Sequence, residues 1–174
     1  PCLDADERAF LLLGALLHLA DVAGPLHPPP HALRWARRVA EEFYLQGDEE
    51  RRLEMPVSPM MDRNNPNFPQ MQLGFTEFVV APLAIGITKI FPDLNKILVQ
   101  LAENYQQFSY MKRDEIRKNR SLTDAQVAEE LTKTAKSCAT FEGQIGKFME
   151  SLVPSDFFLG KNISSGSQRT RRSF

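Results

Sequence analysis

Asp21 closes an apolar run, after Leu16-Leu17-His18-Leu19-Ala20. A carboxylate there must be solvated, paired or desolvated, and a helix C-terminus is the wrong end for an anion. A bound cation would compensate it; a solvated terminal aspartate is the plainer alternative. His18 lies three residues earlier on the same helical face, a spacing that suits a metal pair or simple packing. The second candidate is Gln72 with Phe75. A buried glutamine offers two donors and an acceptor, which match the edge of a purine, and a ring one turn later can stack on the base. The plainer alternative has Phe75 in the core and Gln72 on the surface. Gly74 between them costs helix stability, which points to a close approach by something. The run Glu41-Glu42-Phe43-Tyr44-Leu45-Gln46-Gly47-Asp48 reads as a helix end with a glycine stop.

Other chemistries are missing from the pattern. There is no glycine-rich phosphate loop and no HExxH, and the histidines and cysteines do not bracket a zinc site. The formal net charge of −1 argues against a nucleic-acid partner, and 43% apolar residues suit a folded domain. Cys2 and Cys138 make no disulfide framework, so a reducing, cytoplasmic setting is expected. No stretch is expected to span a bilayer: Phe10 to Leu19 is apolar but short.

Apolar residues recur at three and four, so the expected fold is all-α, a compact multi-helix bundle over residues 1–153. Helix one should run from Asp4 to Val22, and helix two from His31 to Gln46, with a short helix over Asp48 to Leu53. Met55 to Pro69, with four prolines, reads as a long loop. A helix from Gln70 to Ile90 should be kinked by Pro82, another should run from Pro92 to Lys118, and Ser121 with Asp124 should cap a last helix ending near Leu152. Leu131, Cys138, Ile145 and Leu152 repeat every seven residues, a seam for internal packing or for a homodimer. Residues 154–174 read as a polar, basic and flexible tail, with Asn162-Ile163-Ser164 a chance match to a glycosylation triplet.

Taken in order, His18-Leu-Ala-Asp21, Trp35, Glu41 through Asp48, Ser58-Pro59-Met60-Met61-Asp62-Arg63, and Gln72-Leu-Gly-Phe75 leading to Pro82 resemble the class I cyclic-nucleotide phosphodiesterases. The likeness runs from about Leu11 to Lys118 and needs no gap between Asp21 and Phe75. It implies the C-terminal half of the family's HD-type helical catalytic domain. It also implies hydrolysis of cAMP or cGMP to a 5′-monophosphate by water activated between Zn2+ and Mg2+ (or Mn2+). By position, Asp21 matches the last zinc ligand, Gln72 the purine-binding glutamine and Phe75 the aromatic clamp. Val39, Phe43 and Met60 match pocket walls, and the loop from Met55 to Pro69 matches the one that caps the pocket. Glu42, Gln46 and Asp48 match positions of structural support.

Two departures concern the base. An asparagine common in cAMP-preferring members is Gly24 here, and an aromatic three residues before Trp35 is Ala32, which should widen that wall. The family's HNxxH segment and HD pair do not occur in this sequence. Asp21 alone should not hold a catalytic metal, so the chain by itself is expected to be inactive. The parent is expected to be an enzyme, membrane-associated or not. The alternative is a non-catalytic helical module that binds a nucleotide or a partner.

Overall fold

The computed structural model describes residues 4–152. The tail and its glycosylation triplet lie outside them. Six α-helices follow in order: α1 Ala5–Asp21, α2 Pro29–Arg52, α3 Phe68–Phe75, α4 Ala81–Ile90, α5 Lys96–Lys118 and α6 Asp124–Leu152. No strand occurs among the described residues.

Local chemistry sets the ends. Asp4 and Glu7 form a reciprocal cap on α1: the Glu7 N–H donates to Asp4 Oδ1 at 2.8 Å, and the Asp4 N–H to Glu7 Oε2 at 3.0 Å. Helix α2 does not stop at Gly47 but continues to Arg52, absorbing the separate short helix expected there. Gly47 is a contact glycine: a Cβ on it would lie 1.9 Å from the Met61 carbonyl oxygen. The last helix is capped by Thr123 with Gln126, not by Ser121 with Asp124. The Thr123 N–H donates to Gln126 Oε1 at 2.9 Å, and the Gln126 N–H returns to Thr123 Oγ1 at 3.3 Å. Ser121 instead folds onto Asn119 Oδ1.

Between α3 and α4 the helix widens into a π turn, Thr76–Val80, with the Ala81 N–H donating to the Thr76 carbonyl. The disturbance expected at Pro82 takes the form of a π bulge in a continuous helical stretch. The wider turn just before the ring accommodates a residue with no N–H to donate. Phe68 through Ile90 thus forms one 23-residue helical stretch, apolar enough by length and composition to cross a membrane. That corrects the expectation that no stretch was long enough. One side of this stretch is packed: Leu73, Thr76, Val80, Ala81, Ala84 and Ile87 are buried at the centre of the bundle, while Phe78, Val79 and Ile90 are exposed.

Helix α5 is the other central element. Leu98, Leu101, Tyr105 and Phe108 are buried along it. Tyr105 stacks on Phe141 of α6, ring centroids 4.0 Å apart and planes 15° apart. Cys138, Phe141 and Ile145 are buried against the rest of the chain, so this part of the heptad seam serves internal packing. Helix α1 packs on α4 by one side only. Phe10, Leu11, Leu13 and Leu17 stay exposed on it.

Candidate functional site

A cavity of about 870 Å3 opens between the end of α1, one face of α2 and helix α3 with its π turn. Asp21, Val39, Phe43, Met60, Gln72 and Phe75, the six residues singled out by sequence, all line it. The heptad-like spacing of α2 explains part of this. Ala32, Trp35, Ala36, Val39 and Phe43 recur at three and four, so one stripe forms one wall. Helix α3 supplies the opposite side: Gln72 is only 6% exposed, and Phe75 is half-buried. No side-chain hydrogen bond among the described residues engages the Gln72 amide, whereas Gln70, two residues earlier, is held by Lys112. A buried amide without a protein partner has its hydrogen-bonding capacity free for something in the cavity. Gly74 also faces the cavity, and no protein atom approaches the place its Cβ would occupy. The close approach expected from its helical cost is therefore not made by any protein atom among the described residues.

Asp21 is the only formally charged side chain among the described lining residues. His18, its predicted neighbour, is exposed and does not line the cavity, so the two do not form a paired site there. No three His, Cys, Asp or Glu side chains cluster as a metal site among the described residues. One carboxylate does not fit a zinc or a two-metal centre, which needs several donors.

The wall next to Asp21 is anchored from beneath. Asn104, fully buried on α5, donates from Nδ2 to the carbonyls of Pro25 and His27, both at 2.7 Å. Those bonds hold the turn carrying Gly24, Pro25 and His27, which all line the cavity. Gly24 contributes no side chain, and no other protein atom lies within 4 Å of the place a Cβ would take. Asn104→Ala strips two carbonyls of their donor. We expect it to lower unfolding free energy by about 2 kcal/mol or more, measured by urea denaturation. An unchanged midpoint would show that the turn holds without Asn104.

The loop after α2 is held by charge, and this set was not foreseen. Glu50 accepts from the Ser58 N–H at 2.6 Å, the Ser58 hydroxyl at 2.8 Å and Gln46 Nε2 at 2.9 Å. Arg63 donates both terminal nitrogens to Glu41 at 2.9 Å each and Nε to Asp48 at 3.0 Å. The Arg63 fork holds the Glu41 carboxyl below its usual range. Arg51 reaches Asp62 at 2.7 Å. Gln46 and Asp48 thus take part in this clasp together with Glu41, and no side-chain hydrogen bond among the described residues involves Glu42. The clasp sets Met60 in the cavity wall with φ 67°, a left-handed conformation uncommon for a side-chain-bearing residue. Asp62-Arg63 after an acidic helix face was the available signal. His27, Asn67 and Phe78 also line the cavity and were missed; Phe78, one turn beyond Phe75, could have been found by helical spacing.

Comparison with known proteins covers this same region. The family model described as 3'5'-cyclic nucleotide phosphodiesterase matches residues 2–101. A Drosophila melanogaster protein, 3',5'-cyclic-AMP phosphodiesterase, isoform F, is 40% identical over 110 residues, 63% of this chain and 17% of that protein. The Caenorhabditis elegans probable 3',5'-cyclic-AMP phosphodiesterase pde-4 is 36% identical over 107 residues, 61% of this chain and 16% of its own length. The mouse high affinity cAMP-specific and IBMX-insensitive 3',5'-cyclic phosphodiesterase 8A is 33% identical over 121 residues, 69% of this chain and 14% of the relative. The matched segment therefore spans less than a fifth of each of these relatives. It contains the whole of α1 to α4 and every lining residue named above, and on this match the chain belongs to the 3'5'-cyclic nucleotide phosphodiesterase family.

Proposed function

We propose that this chain forms the purine-binding wall of a cyclic-nucleotide phosphodiesterase, which as a whole protein hydrolyses cAMP, cGMP or both to the 5′-monophosphate. The observation that carries the reading is the buried, unengaged Gln72 amide beside Phe75 in a cavity whose single charge is Asp21. The amide reads the base edge, Phe75 packs on its face, and Val39, Phe43 and Met60 close the apolar walls. Rotation of the amide serves either purine. The relatives' names specify cAMP, but Gly24 and Ala32 leave the base end roomy here.

In this reading Asp21 faces the cyclic phosphate, and two like charges there would repel unless a cation lay between them. It is therefore read as one ligand of a metal centre, of zinc with magnesium or manganese, whose other ligands are not among the described residues. No step of the reaction is assigned to that centre here. The present residues bind and orient the base and exclude water from it.

The chain alone is expected to bind cAMP and cGMP without turning them over. Trp35, the only tryptophan, lines the cavity and reports occupancy by fluorescence. Gln72→Ala should weaken binding about tenfold, the worth of one to two lost hydrogen bonds. Clear hydrolysis by the chain with added zinc and magnesium refutes the single-ligand reading. Unchanged affinity in both Gln72→Ala and Phe75→Ala refutes the pocket assignment. Finding HNxxH and HD segments in frame upstream of Pro1 would separate the enzyme from a non-catalytic binding module.

A further inference from the structure

Helix α2 has a second face. Opposite the stripe that walls the nucleotide cavity, Pro30, Leu33, Arg34, Arg37, Arg38 and Glu41 line a separate shallow cavity of about 380 Å3. Arg34 stands one turn from Arg37 and Arg38, and all three line this cavity. Among the described residues none of the three makes an ion pair, whereas Arg51, Arg52 and Arg63 all do. The one acid in this cavity, Glu41, is engaged by both terminal nitrogens of Arg63. Three guanidiniums on one helix face repel one another, and no carboxylate among the described residues pairs with them. The floor is apolar, made by Pro30 and Leu33, and the space exceeds what a bare phosphate fills.

We propose that this groove is a binding site for a phosphate monoester dianion carried on a small apolar body, distinct from the nucleotide cavity. The guanidiniums fork onto the phosphate oxygens, a geometry that arginine provides and lysine does not. The body lies on Pro30 and Leu33. The site is wired to the other cavity by one contact: the Arg38 guanidinium stacks 5.4 Å from the centroid of Trp35, which lines the nucleotide side. Drawing Arg38 toward an anion changes the environment of that indole.

The test uses the full chain at fixed ionic strength, with phenyl phosphate as probe and inorganic phosphate as the bodiless comparison. Phenyl phosphate is expected to give a saturable change in Trp35 fluorescence at lower concentration than inorganic phosphate. The double variant Arg34→Gln/Arg37→Gln should weaken it about tenfold or more, and Arg34→Lys/Arg37→Lys should fall between. All four substitutions are on exposed positions, and unchanged helical circular dichroism confirms folding. The response should survive in Gln72→Ala. Absence of a saturable response overturns the proposal, as does a response lost in Gln72→Ala and kept in Arg34→Gln/Arg37→Gln, which would place the probe in the nucleotide cavity. Phosphatidylcholine vesicles doped with phosphatidic acid carry the same monoester on a lipid. Arginine-dependent co-sedimentation with them makes the source a headgroup; phenyl phosphate binding without it makes the source a soluble phosphate.

Discussion

Tyr105→Ala is expected to lower unfolding free energy by about 3–5 kcal/mol, the range for deleting a fully buried aromatic ring. Tyr105 is 2% exposed, stacked on Phe141, and its hydroxyl donates to Glu77 Oε2 at 2.9 Å. The alanine removes the ring between α5 and α6 and leaves the half-buried Glu77 without its donor. That is a large share of the roughly 5–15 kcal/mol by which folded domains are stable, so the variant should melt at a clearly lower temperature. Tyr105→Phe keeps the ring and loses only the hydrogen bond, at a cost of about 1 kcal/mol. Urea melts of both variants separate packing from hydrogen bonding; equal losses would mean that the hydroxyl, not the stack, joins the helices. Burial first, and Glu77 second, push the Tyr105 hydroxyl above the ordinary tyrosine range. The raised group favours its neutral form in the fold, so its contribution is complete below about pH 10 and is lost as pH climbs through the raised value. Tyr105→Phe should lack that alkaline decline.

Gly47→Ala is the second substitution with a large expected effect, and its sign runs against helix propensity. Alanine in mid-helix normally stabilises by about 1 kcal/mol relative to glycine. At Gly47 the new Cβ would sit 1.9 Å from the Met61 carbonyl oxygen and 2.7 Å from its carbon, which are backbone atoms and cannot swing aside. Overpacking of this kind costs about 1–3 kcal/mol, so the clash outweighs the propensity. The loop must lift from α2, and Met60 leaves the cavity wall with it. The expected result is normal helix content, rapid proteolysis within residues 55–67, and weaker nucleotide binding. Gly143→Ala is the control: the place for its Cβ is open, and it should stabilise. If Gly47→Ala raises the melting temperature as Gly143→Ala does, the loop is not seated where the structure puts it.

These substitutions show where sequence reading was sufficient and where it was not. The helices were legible because apolar residues repeat with the helical period, and the six cavity residues because their order and spacing matched a family pattern. Gly47 was misread because a glycine near a helix end usually signals a stop. Only the partner backbone at Met61, some fourteen residues on, shows why a side chain is excluded there. Arg63 was quoted in a motif, but its fork onto Glu41 and Asp48 depends on a loop path that no periodicity encodes. The π turn was invisible for a related reason. Pro82 announces a kink, but the widened turn that precedes it, with Val80, Ala84 and Ile87 packed into the core, carries no residue-type signal of its own. The positive φ of Met60 likewise follows from the clasp around it and not from its own residue type.

Helix α1 meets the bundle along one side, with Leu19 its only buried residue, and it ends in the acid that faces the cavity. A carboxylate cannot be held more firmly than the helix that carries it. Local opening of α1 would cost far less than unfolding α3 or α5, because it surrenders so little buried surface. Such an excursion would carry Asp21 and the adjoining Val22 away while Gln72 and Phe75 stayed in place. The Gln72 end and the Asp21 end of the cavity therefore belong to two cooperative units of unequal strength, and whatever comes to lie on Phe10, Leu13 and Leu17 sets how often the weaker one is home.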